Sequence, residues 1–123
     1  MTNKTFLVLG SNSFSGSNLI YELLHDNQNN KVIGISRSKE NKSYFLKYKK
    51  SDNLGNFKFF QCNLKRTSQI LKLVDKFKPN YIINYSALGM VHESWLNPED
   101  WFQTNLIDQT SFYKNLIGKK FIK

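Results

Sequence analysis

Phe6-Leu-Val-Leu-Gly10-Ser-Asn-Ser-Phe-Ser-Gly16-Ser-Asn-Leu-Ile20 is the stretch that decides the fold. An apolar run, Phe6 to Leu9, stops at Gly10, and after Gly16 the residues Leu19, Ile20, Leu23 and Leu24 recur at helical spacing. The pattern predicts a buried strand, a tight turn and a helix. A turn that opens a helix points several backbone N–H groups at one spot. With the helix dipole they favour an anion, typically a pyrophosphate. Gly10 allows the sharp bend, and Gly16 lets the helix lie close to the strand. The expected anion contacts are Gly10, Asn12, Ser13, Phe14, Ser15 and Gly16. A third glycine is expected at position 13; Ser13 stands there, small enough to let a phosphate approach. The other reading is a plain strand-to-helix turn with no ligand.

Working outward, strands and helices alternate. Thr5–Leu9 reads as the first strand, residues 16–25 as a helix, and Lys31–Ser36 as a second, β-branched strand. The basic and aromatic residues 39–50 suggest a short helix, with Tyr44, Leu46 or Phe45, and Tyr48 on one side. Residues 57–62 form a third strand and Thr67–Phe77 a helix striped with Ile70, Leu71, Val74 and Phe77. Residues 81–85 form a fourth strand, followed by a loop. Asn97-Pro98-Glu99 then opens a long helix to about residue 117, with Pro98 at its first position and Gly118 ending it. Phe121-Ile122 looks like the start of a fifth strand. The order implies an α/β fold, a parallel sheet with helices on both faces. Ligands of such sheets bind beyond the carboxyl ends of the strands. The unusual residues collect at those ends: 10–16, Ser36-Arg37, Asn63-Leu64 and Ser86-Ala87.

The 123 residues suit one domain, and 40% of them are hydrophobic. No run of 18 apolar residues is present, so no membrane span is expected. Met1 to Thr5 lead directly into the first strand, so no secretory leader is expected either. Cys62 is the single cysteine, which excludes an internal disulfide or a thiolate metal cluster and points to a reducing cytoplasm. The net charge of +9 suits a polyanion partner or a solvated surface. Because the lysines are scattered and Arg37 and Arg66 are the only arginines, the solvated surface is preferred over nucleic-acid binding.

Each strand end has a candidate task. An Asp or Glu is expected about 20 residues past the glycine turn, to bind an adenosine ribose. Ser36 and Arg37 occupy that place, a pair suited to a 2′-phosphate, which favours NADP over NAD. In the alternative, Arg37 stacks on adenine or faces water. Asn63 either reads an adenine amine or caps the next helix. Ser86, Ala87 and Gly89 let a ribose or nicotinamide approach the backbone. His92 and Glu93 resemble an acid/base pair, but adjacent residues point apart, so they read as surface. Asn105 and Asp108 lie on a related side of the long helix; Asn105, a poor mid-helix residue, suggests a polar task, with solvent exposure as the alternative.

Taken together, these residues resemble the extended short-chain dehydrogenase/reductases, the NAD(P)-dependent sugar-nucleotide epimerases, dehydratases and reductases. The family's Gly-x-x-Gly-Phe-x-Gly turn corresponds to Gly10-Ser-Asn-Ser-Phe-Ser-Gly16, its Asp-Leu or Asp-Ile to Asn63-Leu64, and its His-Leu-Ala-Ala to Asn84-Tyr-Ser-Ala87. Its Val-x-x-Ser-x-x-x-Pro and later helix Asn match Val91, Ser94, Pro98 and Asn105. The resemblance implies a Rossmann fold, a nicotinamide cofactor, a nucleotide-sugar substrate of the complete enzyme, and a role for Asn105 in a proton relay. A homodimer is among the expected partners. The family's catalytic Tyr-x-x-x-Lys pair is absent: Tyr21, Tyr44, Tyr48, Tyr81, Tyr85 and Tyr113 are followed four residues later by His25, Tyr48, Asp52, Tyr85, Gly89 and Ile117. Residues 1–123 are therefore read as the N-terminal part of such an enzyme, stopping as the fifth strand begins, with no turnover expected of them alone. The alternatives are a non-catalytic NADP-binding regulatory module and a basic nucleic-acid binder.

Overall fold

The computed structural model describes residues 2–123. Its centre is a four-stranded, all-parallel sheet in the order β3-β2-β1-β4, built from β1 (Thr5–Leu9), β2 (Lys31–Ser36), β3 (Phe57–Gln61) and β4 (Tyr81–Asn84). Leu7 pairs with Ile33 across β1 and β2, and with Ile82 across β1 and β4. Alternate side chains leave a strand on opposite faces, and β1 divides accordingly. Phe6 and Val8 face helix α1 (Phe14–Asp26) and bury Ile20 and Leu24, together with Leu46 and Tyr48. Leu7 and Leu9 face α2 (Thr67–Phe77) and bury Ile70, Val74 and Phe112. The sheet is thus covered on both faces, as the Rossmann-like reading requires.

The boundaries differ in instructive places. Helix α1 starts at Phe14, two residues before the expected position, because Ser13 caps it: its hydroxyl accepts from the Gly16 N–H at 3.0 Å. Residues 39–50 do not form one helix. Two 3₁₀ turns, Ser43–Phe45 and Lys47–Lys50, are separated by Leu46 in extended conformation (φ −115°). That break lets Leu46 and Tyr48 both reach the core, while Tyr44 and Phe45 remain exposed. The expected loop after β4 contains helix α3 (Val91–Leu96). The long helix runs as α4 (Pro98–Phe102), a widened π-helical turn Gln103–Asp108, and α5 (Gln109–Leu116). Gly118, at φ +86°, follows it. Residues 119–121 turn rather than begin a strand, and the Lys123 N–H reaches the Asn80 carbonyl at 2.9 Å.

Candidate functional site

The bend after β1 is fixed by contacts that only glycine permits. Gly10 has φ +81°, and a Cβ there would lie 2.8 Å from the Tyr85 carbonyl carbon. A Cβ on Gly16 would lie 2.2 Å from the Gly10 carbonyl oxygen. The two glycines therefore allow the bend to press against the exit of β4 on one side and the start of α1 on the other. Ser13 replaces a third glycine and works inward: its hydroxyl donates to the Gly10 carbonyl at 2.7 Å while accepting from Gly16.

Most amides of the bend are occupied. Gly10 and Ser11 donate to the Ile35 carbonyl, Ser13 donates to Gly10, and Ser17 to the Ser13 carbonyl. The Asn12 N–H donates to the Ser36 hydroxyl at 3.0 Å. Phe14 and Ser15 remain, and the first-turn N–H groups of a helix have no intrahelical acceptor. These two donors and the positive end of the α1 dipole make a seat for an anion.

Beside that seat, a cavity of about 280 Å³ opens at the carboxyl ends of all four strands. Gly10, Asn12 and Ser13 line it from the bend, Ser36 and Arg37 from β2, Asn63 and Leu64 from β3, and Ser86 and Ala87 from β4. The sequence-identified strand ends thus converge on one cleft, at the small end of the roughly 300–1,000 Å³ typical of ligand sites. Phe14 and Ser15 are exposed next to it, at the head of α1.

The individual roles are sharper than the sequence could say. The Ser36 hydroxyl is buried and engaged, accepting from Asn12 and sharing a 3.2 Å hydrogen bond with Ser11. It therefore braces the bend, and Arg37 is the exposed group of the pair. Asn63 caps the turn Leu64–Arg66, accepting from the Lys65 N–H at 3.1 Å. Ser86 is held by Asn84, whose side-chain oxygen accepts from the Ser86 N–H at 2.8 Å. Asn84 also donates to Gln109 and Tyr113, and Gln109 donates back to the Ser86 carbonyl at 2.6 Å. Asn105, inside the π-turn, accepts from the Leu88 N–H (2.8 Å) and donates to its carbonyl (3.0 Å). Asp108, by contrast, is buried and accepts from Gln103 at 2.7 Å. His92 and Glu93 are exposed on α3, outside the cleft.

Sequence reading missed Tyr85 and Ser38, which line the cavity, and Gln109. Gln109 was traceable, standing four residues beyond Asn105 and so on the same helical side. Cys62 lies on the cavity wall, where burial pushes its thiol above the usual range; it stays protonated and unreactive at neutral pH.

Known proteins share this fold. A family model described as GDP-mannose 4,6 dehydratase matches residues 7–114. A UDP-glucose 4-epimerase of Pisum sativum is 27% identical over 115 residues, covering 92% of this chain and 33% of the relative. The structure of UDP-glucose-4-epimerase from Stenotrophomonas maltophila, with bound NAD and formylated UDP-arabinopyranose, superposes with a TM-score of 0.78. It has 15% identity and covers 98% of this chain and 35% of that one. A dTDP-glucose 4,6-dehydratase from Bacillus anthracis in complex with NAD gives a TM-score of 0.76 at 17% identity, over 98% and 36% of the two chains. The chain spans about a third of the length of these relatives.

Proposed function

The chain belongs to the GDP-mannose 4,6 dehydratase family, and from that premise we propose that residues 1–123 are the dinucleotide-binding portion of a sugar-nucleotide epimerase, dehydratase or reductase. The observation that carries the proposal is the pair of open amides, Phe14 and Ser15, at the head of α1 beside a cleft lined by four strand ends. The residues fit a dinucleotide. The two amides and the helix dipole suit its diphosphate, the Asn63 and Leu64 wall suits an adenine, and the Ser86-Ala87 backbone suits the second ribose and nicotinamide. NAD(P) supplies the hydride-carrying ring for such chemistry.

Between the two nicotinamide cofactors, NADP is our reading. An exposed Arg37 at the end of β2, with no carboxylate at that position, favours a 2′-phosphate by charge and by its forked donors. Asn105 is a positioning residue in this scheme. It holds the Leu88 backbone, and with it the segment that would face the nicotinamide. Its part in a proton relay requires the Tyr-x-x-x-Lys pair, which residues 1–123 lack, so no turnover of a nucleotide sugar is expected from them alone. The complete enzyme would act on a nucleotide sugar in the cytoplasm. A homodimer belongs to the same proposal, supported by the exposed Trp95, Leu96, Phe102, Leu106 and Ile107.

Titration of the purified chain with NADPH and NADH tests the reading. Saturable binding is expected, with NADPH tighter by about tenfold, the scale of one good charge-assisted contact. Absence of binding by both refutes the dinucleotide assignment, and equal binding refutes the choice of NADP.

A further inference from the structure

We infer that Asn12 is a specificity-determining positioning residue: it clasps the segment after β2 to the glycine bend and so presents Arg37 to the adenosine end of the cleft. The inference rests on the dinucleotide reading above. Residues 37–42 contain no helix or strand, yet the stretch is tied down, and Asn12 holds most of the ties. Its side-chain amide donates to the Ser38 hydroxyl at 3.0 Å and to the Lys39 carbonyl at 2.7 Å. Its side-chain oxygen accepts from the Asn41 N–H at 3.1 Å. Its own carbonyl accepts from the Asn41 side chain at 3.2 Å, and its N–H donates to the Ser36 hydroxyl. Each polar group of Asn12 is therefore spent on residues 36–41.

Arg37 lies between two of these anchors, Ser36 and Ser38, and its carbonyl accepts from Gln61 at 3.1 Å. Its backbone is fixed on both sides while its side chain is exposed. The ion pairs of the described residues are all made by lysines, Lys47, Lys49, Lys65 and Lys119, so no carboxylate competes for the guanidinium. A cation whose backbone is ordered before binding loses less conformational freedom when a phosphate arrives. Asparagine is needed because one short side chain must donate and accept together; alanine does neither, and serine is too short to span both sides. Because Asn12 belongs to the diphosphate-binding bend, the bend and the 2′-phosphate reader move as one body.

The test uses the full chain carrying Asn12→Ala, which removes every tie made by its side chain, and separately Ser38→Ala/Asn41→Ala, which removes the two ties made by side chains of the far segment and leaves the bend untouched. Arg37→Ala and Asn12→Ala/Arg37→Ala complete the set. Affinities for NADPH and NADH are measured, with amide hydrogen exchange of residues 38–41 in the free proteins. Asn12→Ala is expected to lower the preference for NADPH over NADH by about tenfold, and Ser38→Ala/Asn41→Ala to lower it in the same direction. The Asn41 amide should exchange faster, and the double variant should show no preference beyond that of Arg37→Ala. The inference is overturned if the wild type prefers NADPH and Arg37→Ala abolishes the preference, while both clasp variants keep it. An unchanged Asn41 exchange rate overturns it too. If the wild type binds neither dinucleotide, the functional reading fails first and the inference falls with it. If it binds both equally, the dinucleotide reading stands, and the NADP choice and the role of Asn12 fall.

Discussion

The two halves of this chain treat their apolar residues differently. In the first half, the bend, α1 and the turns before β3 close on the sheet: Ile20, Leu24, Leu46 and Tyr48 are buried against Phe6, Val8 and Val32. In the second half, the helical run from Val91 to Leu116 sends Phe112 into the core and leaves Trp95 83% exposed, with Leu96, Phe102, Leu106 and Ile107 also at the surface. Burial is worth roughly 25 cal/mol per Å² of apolar surface, so the helical run of the second half forgoes more of it than the first half, where Phe14, Tyr44 and Phe45 are the large apolar side chains left exposed. These exposed side chains of the second half are the ones on which the proposed dimer rests. First-half residues close the face of β1 that packs on α1, while Ile70, Val74 and Phe112 of the second half close its other face.

Ile20 and Trp95 should differ most. Ile20→Ala should cost about 2–5 kcal/mol in urea unfolding, whereas Trp95→Ser should stay within about 0.5 kcal/mol and shift the chain from dimer to monomer in sedimentation. Equal costs would show that both halves are packed alike, and a wild type that sediments as a monomer removes the proposed dimer. A smaller effect separates the bend from its neighbours. Gly16→Ala sets a Cβ against the rigid Gly10 carbonyl, so α1 must move, at about 1–3 kcal/mol. NADPH affinity should drop by at least about tenfold, because the Phe14 and Ser15 amides move with it. Gly55→Ala, where an added Cβ meets nothing within 4 Å and which lies outside the cleft lining, is the matching control.

The smallest effect is one of pH. Burial, and then the hydrogen bond to Glu40, push the Tyr48 phenol well above the usual tyrosine range. An unfolded chain releases that proton near about pH 10 while the folded one retains it, so the native state binds more protons there. The stabilising contribution is complete below about pH 10 and is lost as pH rises beyond it. Tyr48→Phe should flatten this alkaline decline in denaturation curves taken from pH 8 to 11; a decline of the same slope in the variant would assign it to other groups.

Local period made much of the fold legible. Phe6 to Leu9, Lys31–Ser36, and the stripe of Ile70 and Val74 have the spacings that strands and helices impose, and those elements stand where they were expected. Helix α3 escaped because Val91–Leu96 mixes exposed apolar and polar residues with no buried stripe. The π-turn escaped because nothing in Gln103–Asp108 departs from ordinary helical composition. The strand ends were legible as a set, but what each side chain does was not. Ser36 reads as a 2′-phosphate ligand beside Arg37 until Ser11 and Asn12 are seen to occupy its hydroxyl.

By itself, the sequence determined the parallel sheet, the bend at Gly10 and Gly16, and the family, because each depends on neighbours within a few residues or on a motif of fixed spacing. Only the tertiary structure decided that Ser36 braces the bend, that Asn12 clasps residues 36–41, and that Asn105 holds Leu88. Those bonds join groups far apart in the chain, Asn12 to Asn41 and Asn105 to Leu88. A hydrogen bond between distant residues leaves no period in the sequence; it exists only once the sheet has brought its strand ends together.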